Sequence, residues 1–330
     1  MEHEKETPFR ESRTFVFRWE WLLLVLIGAT FVVNIRLSPH FLRYTSIMDA
    51  LSVFLEAGFM VFPMVLVLVA GEIDISVGSI VALSSVLMAM ANRAGVPMSL
   101  AIFVALGVGT LCGYFNGLLI SLIPNLSAII VTLAGFSLYR GIAYILLGDK
   151  AISGFPLWYS YLAWGYIGQT HIPFMLVAFL LCAVVYWILL HRAAFGRKIF
   201  ALGTNRQAAL FSGVPVGKIR RIIFTLNGLM AGVAAVFLTS KLGSSRPNVA
   251  TGYELEVIAI AVLGGANPAG GKGSILGACL ALILIRFLRY GMGLRNVPGQ
   301  VMMVIIGFVL VCVVMFPNLF ASRRKHQVVS

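Results

Sequence analysis

Charged residues are scarce in this sequence. Asp, Glu, Lys and Arg make up 11% of its 330 residues, hydrophobic residues make up 60%, and the mean hydropathy is +0.96. A soluble domain is about one quarter charged. So few charges cannot cover a water-facing surface, so lipid must cover it instead. The apolar runs are continuous rather than alternating, which excludes a transmembrane β-barrel and predicts a polytopic α-helical membrane protein.

The residues needed for catalysis or metal binding are also lacking. The five histidines lie in predicted tails and loops, no His-Glu-x-x-His pattern occurs, and no Ser/His/Asp set falls within the apolar runs. These absences disfavour a metalloprotease or another intramembrane enzyme. The four cysteines have no paired spacing, which predicts small core residues rather than disulfides or metal ligands. They are Cys112, Cys182, Cys279 and Cys312.

A cleavable signal peptide and a phosphate-binding loop are not expected either. The first twenty residues carry both signs of charge, and the apolar run after them has no small-residue cleavage site. The glycine-rich stretch 264–274 resembles a phosphate loop. However, Ala266 stands where the pattern needs glycine, and Gly273 stands where it needs Ser or Thr. We therefore expect no cofactor in this chain, and a glycine-rich break between two helices.

The apolar runs predict an all-α bundle of about ten transmembrane helices. A membrane helix needs about 20 residues, so the third, eighth and ninth runs are short. The runs cover residues 21–33, 54–70, 77–91, 99–122, 128–147, 173–190, 222–239, 255–263, 275–287 and 301–316. We expect a transmembrane domain over 19–320, with an N-terminal tail at 1–18 and a C-terminal tail at 321–330. The aromatic stretch 148–171 is predicted to hold a short interfacial helix.

Basic residues predict the orientation. The formal net charge is +13, and the charged loop 191–221 is rich in Lys and Arg, as are both tails. By the positive-inside rule, this loop and both termini are expected in the cytoplasm. The predicted topology explains the excess of positive charge, so we expect no nucleic-acid partner. The expected environment of the chain is the lipid bilayer.

Two glycine-rich segments are predicted to break the bundle, at 71–78 and 264–273. Non-helical backbone is tolerated at membrane depth only where protein or water covers it. The glycines expected to form the breaks are Gly71, Gly78, Gly264, Gly265, Gly270 and Gly271. Small-residue pairs at helix-packing spacing also recur, which favours close helix contacts. These pairs are Gly113-x-x-x-Gly117, Gly228-x-x-x-Gly232 and Gly273-x-x-x-Gly277.

Several polar residues in or beside the apolar runs are pathway or gate candidates. Intramembrane acids are costly and usually face a cavity or a partner. The candidates are Glu72, Asp74, Ser76, Asn116, Arg140 and Asn227. The alternative for Asp74 and Ser76 is to cap the following helix, which we favour for Ser76. Arg140 is expected either to pair with an acid or to extend to the surface.

Four further charged residues receive more ordinary interpretations. Arg286 and Arg289 are expected to extend to the membrane surface along their aliphatic stems. Glu254 and Glu256 are expected to be solvated, although a contact with Arg246 or a place at the outer mouth is an alternative.

The segment 200–221 reads FALGTNRQAALFSGVPVGKIRR and predicts a short, shaped cytoplasmic element. Residues 205–211 can form a short helix with Thr204 or Asn205 as its N-cap, and Gly213 and Pro215 would end it. A rigid helix between two spans can transmit motion from a soluble partner. The expected docking residues are Thr204, Asn205, Arg206, Ala208, Ala209, Ser212, Gly213 and Val214.

Four motifs in order resemble the permeases of ATP-binding-cassette importers, in the branch built like the bacterial ribose permease. They are GEIDISVGS at 71–79, AAFG at 193–196, ALGTNRQAALFSGVPV at 201–216 and VLGGANPAGGKGSI at 262–275. Two departures stand out. Arg206-Gln207 replaces an acidic residue common in the docking segment, which leaves its partner on the ATPase undefined. Glu72 replaces a glycine of the usual Gly-Gly-Ile-Asp form, which suggests a different sugar.

The resemblance implies a translocation subunit without enzymatic activity of its own. Its implied partners are two cytosolic ATP-binding subunits, a periplasmic or lipid-anchored sugar-binding protein, and a second permease subunit, either a second copy or a paralogue. Its implied cargo is a small sugar such as a pentose, a deoxyhexose like rhamnose, or autoinducer-2. The alternative is an ion-coupled secondary transporter that uses Glu72, Asp74 and Arg140.

Overall fold

The computed structural model describes residues 19–38, 40–52, 55–123, 126–302 and 304–308, and both predicted tails fall outside these ranges. The described chain is mostly helical and has only two strands of two residues each, which confirms the all-α class. The helices are α1 (Trp19–Leu37), α2 (Tyr44–Ser52), α3 (Leu55–Val69), α4 (Val77–Arg93), α5 (Met98–Leu122), α6 (Ala128–Leu147), α7 (Tyr161–Trp164), α8 (Phe174–Trp187), α9 (Ala194–Thr204), α10 (Arg206–Phe211), α11 (Val216–Leu242), α12 (Tyr253–Leu263), α13 (Ile275–Leu294) and α14 (Gly299–Phe308).

Among the residues that the structure describes, six helices are long and apolar enough to cross a membrane, and α2 with α3 makes a seventh if this bent pair is one span. Each of the ten predicted runs coincides with a helix, but α4, α12 and α14 are shorter than a full span, and the tenth run continues beyond the described residues. The stretch 148–171 contains α7, preceded by a 3₁₀ turn at Leu157–Ser160. Its strand β1 (Ile152–Ser153) pairs antiparallel with β2 (Ser244–Ser245).

The predicted loop 191–221 is mostly helical, which corrects the sequence-based boundary. A π-helical turn at Ile188–Arg192 extends α8, α9 and α10 follow, and α11 begins at Val216 rather than 222. Hydropathy alone misses these helices because their exposed faces are basic and polar. We call the end of the bundle that carries α9 and α10 the basic end.

Glycines hold α5 and α11 backbone to backbone. A Cβ placed on Gly113 would overlap the Phe224 carbonyl, and one on Gly109 would overlap the Gly228 carbonyl. Two predicted glycine pairs, 113/117 and 228/232, therefore pack against one another. The third pair is different: Gly273 precedes α13, so the pair 273/277 forms no stripe on a helix.

The core surrounds α3, in which all fifteen residues from Leu55 to Val69 are buried. Phe59 stacks on Phe237 of α11, with ring centroids 4.7 Å apart, and Phe62 packs against Phe179 of α8 at 4.8 Å. By contrast α1, α5, α6 and α8 carry many exposed apolar side chains. This arrangement is expected of a bundle whose outer helices face lipid.

Candidate functional site: the docking segment and the buried polar network

The short helix α10 forms as the sequence predicts. Asn205 occupies the N-cap position, and its Oδ1 accepts a hydrogen bond of 3.0 Å from the Ala208 backbone N–H. At the other end Gly213 has a φ of 77°, a conformation that strains residues with a Cβ. The Val214 N–H then donates to the Ala209 carbonyl and turns the chain toward α11.

The outer face of α10 is exposed and apolar at its C-terminal end. Leu210 is 60% exposed and Phe211 is 89% exposed. Of the predicted docking residues, Ala209 is buried and Val214 is half-buried, so both hold the segment to the bundle; the others are exposed. Leu210 and Phe211 were not among the predicted docking residues. Bulky apolar residues inside a polar, basic segment are the sequence signal that could have drawn attention to Leu210 and Phe211.

The helix that leads into α10 lies against both predicted breaks. Gly203 in α9 packs so closely on the Val69 carbonyl that a Cβ there would overlap it, and Gly270 packs on the backbone of Gly203. The Gly271 N–H donates to the Val69 carbonyl at 2.9 Å. Helix α9 is therefore in direct backbone contact with the end of α3 and with the segment before α13.

The six predicted break glycines serve two purposes. Four adopt the left-handed conformation, namely Gly71, Gly265, Gly270 and Gly271. The other two permit close contact: Gly264 lies against the backbone of α13, and Gly78 lies against Glu254 and the Ala250 carbonyl.

Glu72 forms an ion pair at the basic end. Its Oε1 lies 2.7 Å from Nε of Arg220, whose Nη1 donates to the Ile120 carbonyl at 2.8 Å. Burial raises the pKa of the Glu72 carboxyl, while the positive charges of Arg220 and Arg206 oppose that rise. Arg206 is the first residue of α10, so a charge of α10 acts on the first break.

A polar cleft of about 290 Å³ opens at this place. It lies between the first break, the N-terminus of α6 and the turn from α9 into α10. Its lining includes Glu72, Ser127, Thr204, Asn205, Arg206 and Arg220.

Asp74 is the centre of a second, fully buried polar network. Its Oδ1 accepts hydrogen bonds from the backbone N–H and the hydroxyl of Ser76, at 2.8 and 2.6 Å. Its Oδ2 accepts from Nδ2 of Asn227 at 2.8 Å. The Ser76 hydroxyl in turn accepts from Nδ2 of Asn116 at 2.9 Å, and Tyr139 donates to Oδ1 of Asn116 at 2.7 Å.

This network joins four of the six pathway candidates, which come from the first break, α5 and α11, and Tyr139 adds a contact from α6. Ser76 lies at the N-cap position of α4, but its side chain makes no cap hydrogen bond, so the favoured capping interpretation is wrong. Asp74 instead fixes the turn by binding the Ser76 N–H. Thr132 of α6 supports the same segment, because its hydroxyl accepts from the Ile75 N–H at 3.3 Å.

Arg140 lies elsewhere, at the segment between β2 and α12. Its Nη1 donates to the carbonyls of Pro247 and Val249, at 2.7 Å each. Within the described ranges no carboxylate pairs with Arg140, so backbone carbonyls take the place of the expected acid, and the side chain is half-buried rather than exposed at the surface. Its contacts hold the chain that enters α12, next to the Gly78–Glu254 contact.

The four charged residues that were expected at the surface are instead wholly or partly buried inside the bundle. Arg286 is 1% exposed and lies 3.3 Å from Glu256, which also pairs with Arg289 at 2.6 Å. Glu254 is buried and accepts from the Gly252 N–H. The sequence also missed Glu56, a buried acid that contacts Lys241 and the hydroxyl of Tyr253 at 3.1 Å each.

The residues of the ion-coupled alternative are not brought together. Glu72 pairs with Arg220, Asp74 with Ser76 and Asn227, and Arg140 with backbone carbonyls. Within the described ranges, no group of three His, Cys, Asp or Glu side chains could hold a metal ion.

A family of permease components of branched-chain amino acid transport systems matches residues 46–314. The chain belongs to this permease family. The match includes the predicted docking residues, both breaks and the Asp74 network, so these features lie within the family domain. The chain is therefore a membrane-spanning transport component.

Curated relatives cover nearly all of the chain. It is 32% identical over 318 residues to the autoinducer 2 import system permease protein LsrD of Photorhabdus temperata. It is 33% identical over 315 residues to the LsrD proteins of Escherichia coli K12 and Shigella flexneri. Each alignment covers 94% of both chains. No solved structure matches.

Proposed function

We propose that this chain is the permease subunit of an ATP-binding-cassette importer, and that a separate ATP-binding subunit docks on α10. The observation that carries the proposal is the capped, exposed helix α10, which joins α9 and α11 and presents Leu210 and Phe211 outward. A soluble partner with an apolar cleft would bury these side chains and push on α9. The backbone contacts of Gly203 would pass that push to both breaks.

The charge pattern supports a cytoplasmic position for the basic end. Arg192, Arg197, Lys198 and Arg206 lie on or beside α9 and α10, and such residues concentrate on the cytoplasmic side of membrane proteins. With this orientation, both termini are cytoplasmic in a bacterial inner membrane. A binding protein would deliver the solute at the opposite end, to a pathway shared with a second permease subunit.

The relatives named as permease proteins of autoinducer 2 import systems support a proposal for the substrate class. We propose a small sugar-like solute: autoinducer-2 itself, a pentose, or a deoxyhexose such as rhamnose. The buried Asp74, Ser76, Asn116 and Asn227 supply the polar groups that would control passage of such a hydroxylated solute between helices.

Phe211→Asp tests the docking assignment. The variant places a charge where an apolar contact is expected, so the ATP-binding subunit should no longer co-purify, and transport-coupled ATP hydrolysis should fall at least tenfold. Leu157→Asp is the matched control, because Leu157 is 93% exposed and lies outside α9 and α10. Retained co-purification and hydrolysis in Phe211→Asp would overturn the proposal.

A further inference from the structure

A groove between α5 and α11 opens at the basic end, on the side of α11 away from the Glu72–Arg220 pair. Its volume is about 390 Å³, and apolar and polar side chains share its lining. The lining residues are Tyr114, Lys218, Arg221, Ile222, Thr225 and Leu226. None of these residues is among the predicted docking residues, and none belongs to the Asp74 network.

Two cations line this groove without a carboxylate partner. Lys218 is exposed and Arg221 is half-buried, and no carboxylate among the described residues lies within 4 Å of either. Nε of Arg221 makes only a long contact, 3.4 Å, with the Gly217 carbonyl of its own helix. Positions three apart lie on one helix face, so Lys218 and Arg221 point the same way. Arg220, between them, is buried against Glu72.

The surroundings of the cations are apolar and exposed. Tyr114 is 43% exposed, and its neighbours on α5, Leu111 and Phe115, are 67% and 46% exposed. An aromatic residue with a polar tip is typical of the level where lipid headgroups begin. The groove thus combines apolar walls for an acyl chain with two cations at one end for a negatively charged group.

We propose that this groove binds an anionic phospholipid, with the headgroup phosphate between Lys218 and Arg221 and an acyl chain along Ile222 and Leu226. Basic pockets between membrane helices on the cytoplasmic side suit such headgroups. A guanidinium and an ammonium both donate charge-assisted hydrogen bonds to phosphate oxygens. A zwitterionic lipid carries its own cation beside the phosphate, so it satisfies this site less well.

Lipid retention measures the site directly. The full chain is purified from nanodiscs of mixed phosphatidylglycerol and phosphatidylcholine, and bound lipids are counted by native mass spectrometry. We expect preferential retention of phosphatidylglycerol, and at least a fivefold loss of it in Lys218→Gln/Arg221→Gln. The matched control Arg197→Gln/Lys198→Gln removes the same charge from α9 and should retain the lipid.

Leu226→Trp keeps both charges but fills the groove, so it should also release the lipid. It provides a second readout if the double variant folds poorly. Three results would overturn the proposal: equal retention of the two lipids, equal loss in both double variants, or release of the ATP-binding subunit by Lys218→Gln/Arg221→Gln while phosphatidylglycerol stays bound. The last result would assign the groove to the docking surface instead. Displacement of the lipid by inorganic phosphate alone would likewise overturn it, by indicating a free-anion site.

Discussion

Nε of Arg220 lies 2.7 Å from Oε1 of Glu72, and this pair joins the start of α11 to the first helix break. Arg220 is 2% exposed and the Glu72 side chain is 12% exposed, so water screens neither charge well. Helix α10, which we propose as the docking helix, begins at Arg206, whose charge also acts on Glu72. The pair therefore links the surroundings of α10, where an ATP-binding subunit is expected to dock, to the segment that positions Asp74.

Removing Glu72 is expected to destabilise the bundle. Glu72→Gln leaves the buried Arg220 without a negative charge, and breaking such a pair costs about 3–5 kcal/mol. The melting temperature in detergent should fall clearly below that of Lys198→Gln, which removes an exposed charge at the same end. The swap Glu72→Arg/Arg220→Glu should recover part of the loss; a melting temperature of Glu72→Gln equal to that of the parent chain contradicts the prediction.

The α5–α11 contact predicts that alanine has different effects at two glycines of α5. An alanine Cβ at Gly113 would overlap the Phe224 carbonyl, whereas nothing lies within 4 Å of the same atom at Gly107. Gly113→Ala should lower the free energy of unfolding by about 1–3 kcal/mol, as overpacking does. Gly107→Ala should not lower it, because alanine is the better helix former. Denaturant unfolding of both variants in detergent decides between these outcomes.

The Asp74 network predicts that amide and alanine replacements differ. Asp74→Asn can keep its bond from Ser76, and a flip of Asn227 would present its Oδ1 to the new amide. Asp74→Ala leaves the buried donors of Ser76 and Asn227 without their acceptor, each at a cost of about 1–3 kcal/mol. We expect Asp74→Ala to lose solute uptake and to melt well below Asp74→Asn. Equal melting temperatures would show that the carboxylate does not organise the network.

The N-cap of α10 is the fourth test. Asn205→Ala removes the acceptor for the Ala208 N–H and should cost about 1 kcal/mol, enough to fray a helix of only six residues. Coupled ATP hydrolysis should fall several-fold while the amount of folded chain in the membrane is unchanged. Asn205→Asp keeps a capping oxygen and should restore activity. Equal rates of ATP hydrolysis in Asn205→Asp and Asn205→Ala would show that the effect does not arise from the N-cap.

Local features were predictable from sequence. Asn205 and Gly213 determine the two ends of α10 through their own backbone conformations, and Gly71 and Gly271 mark the breaks for the same reason. Long-range features were not predictable. Glu256 and Arg286 are 30 residues apart, and nothing in either helix shows that the two residues meet inside the protein. Asp74 and Asn227 are 153 positions apart, so their bond required the packing of α11 against the first break.

The glycine contact between α5 and α11 also has a mechanical consequence. Where backbones touch directly, no side chains lie between them that could switch to another rotamer, and a slide would place each Cα against a carbonyl. We therefore expect these two helices to keep one low-energy register and to move as a single rigid body. We expect a change of shape that lets a solute through to bend the chain at the breaks around residues 71 and 270, while α5 and α11 keep their register.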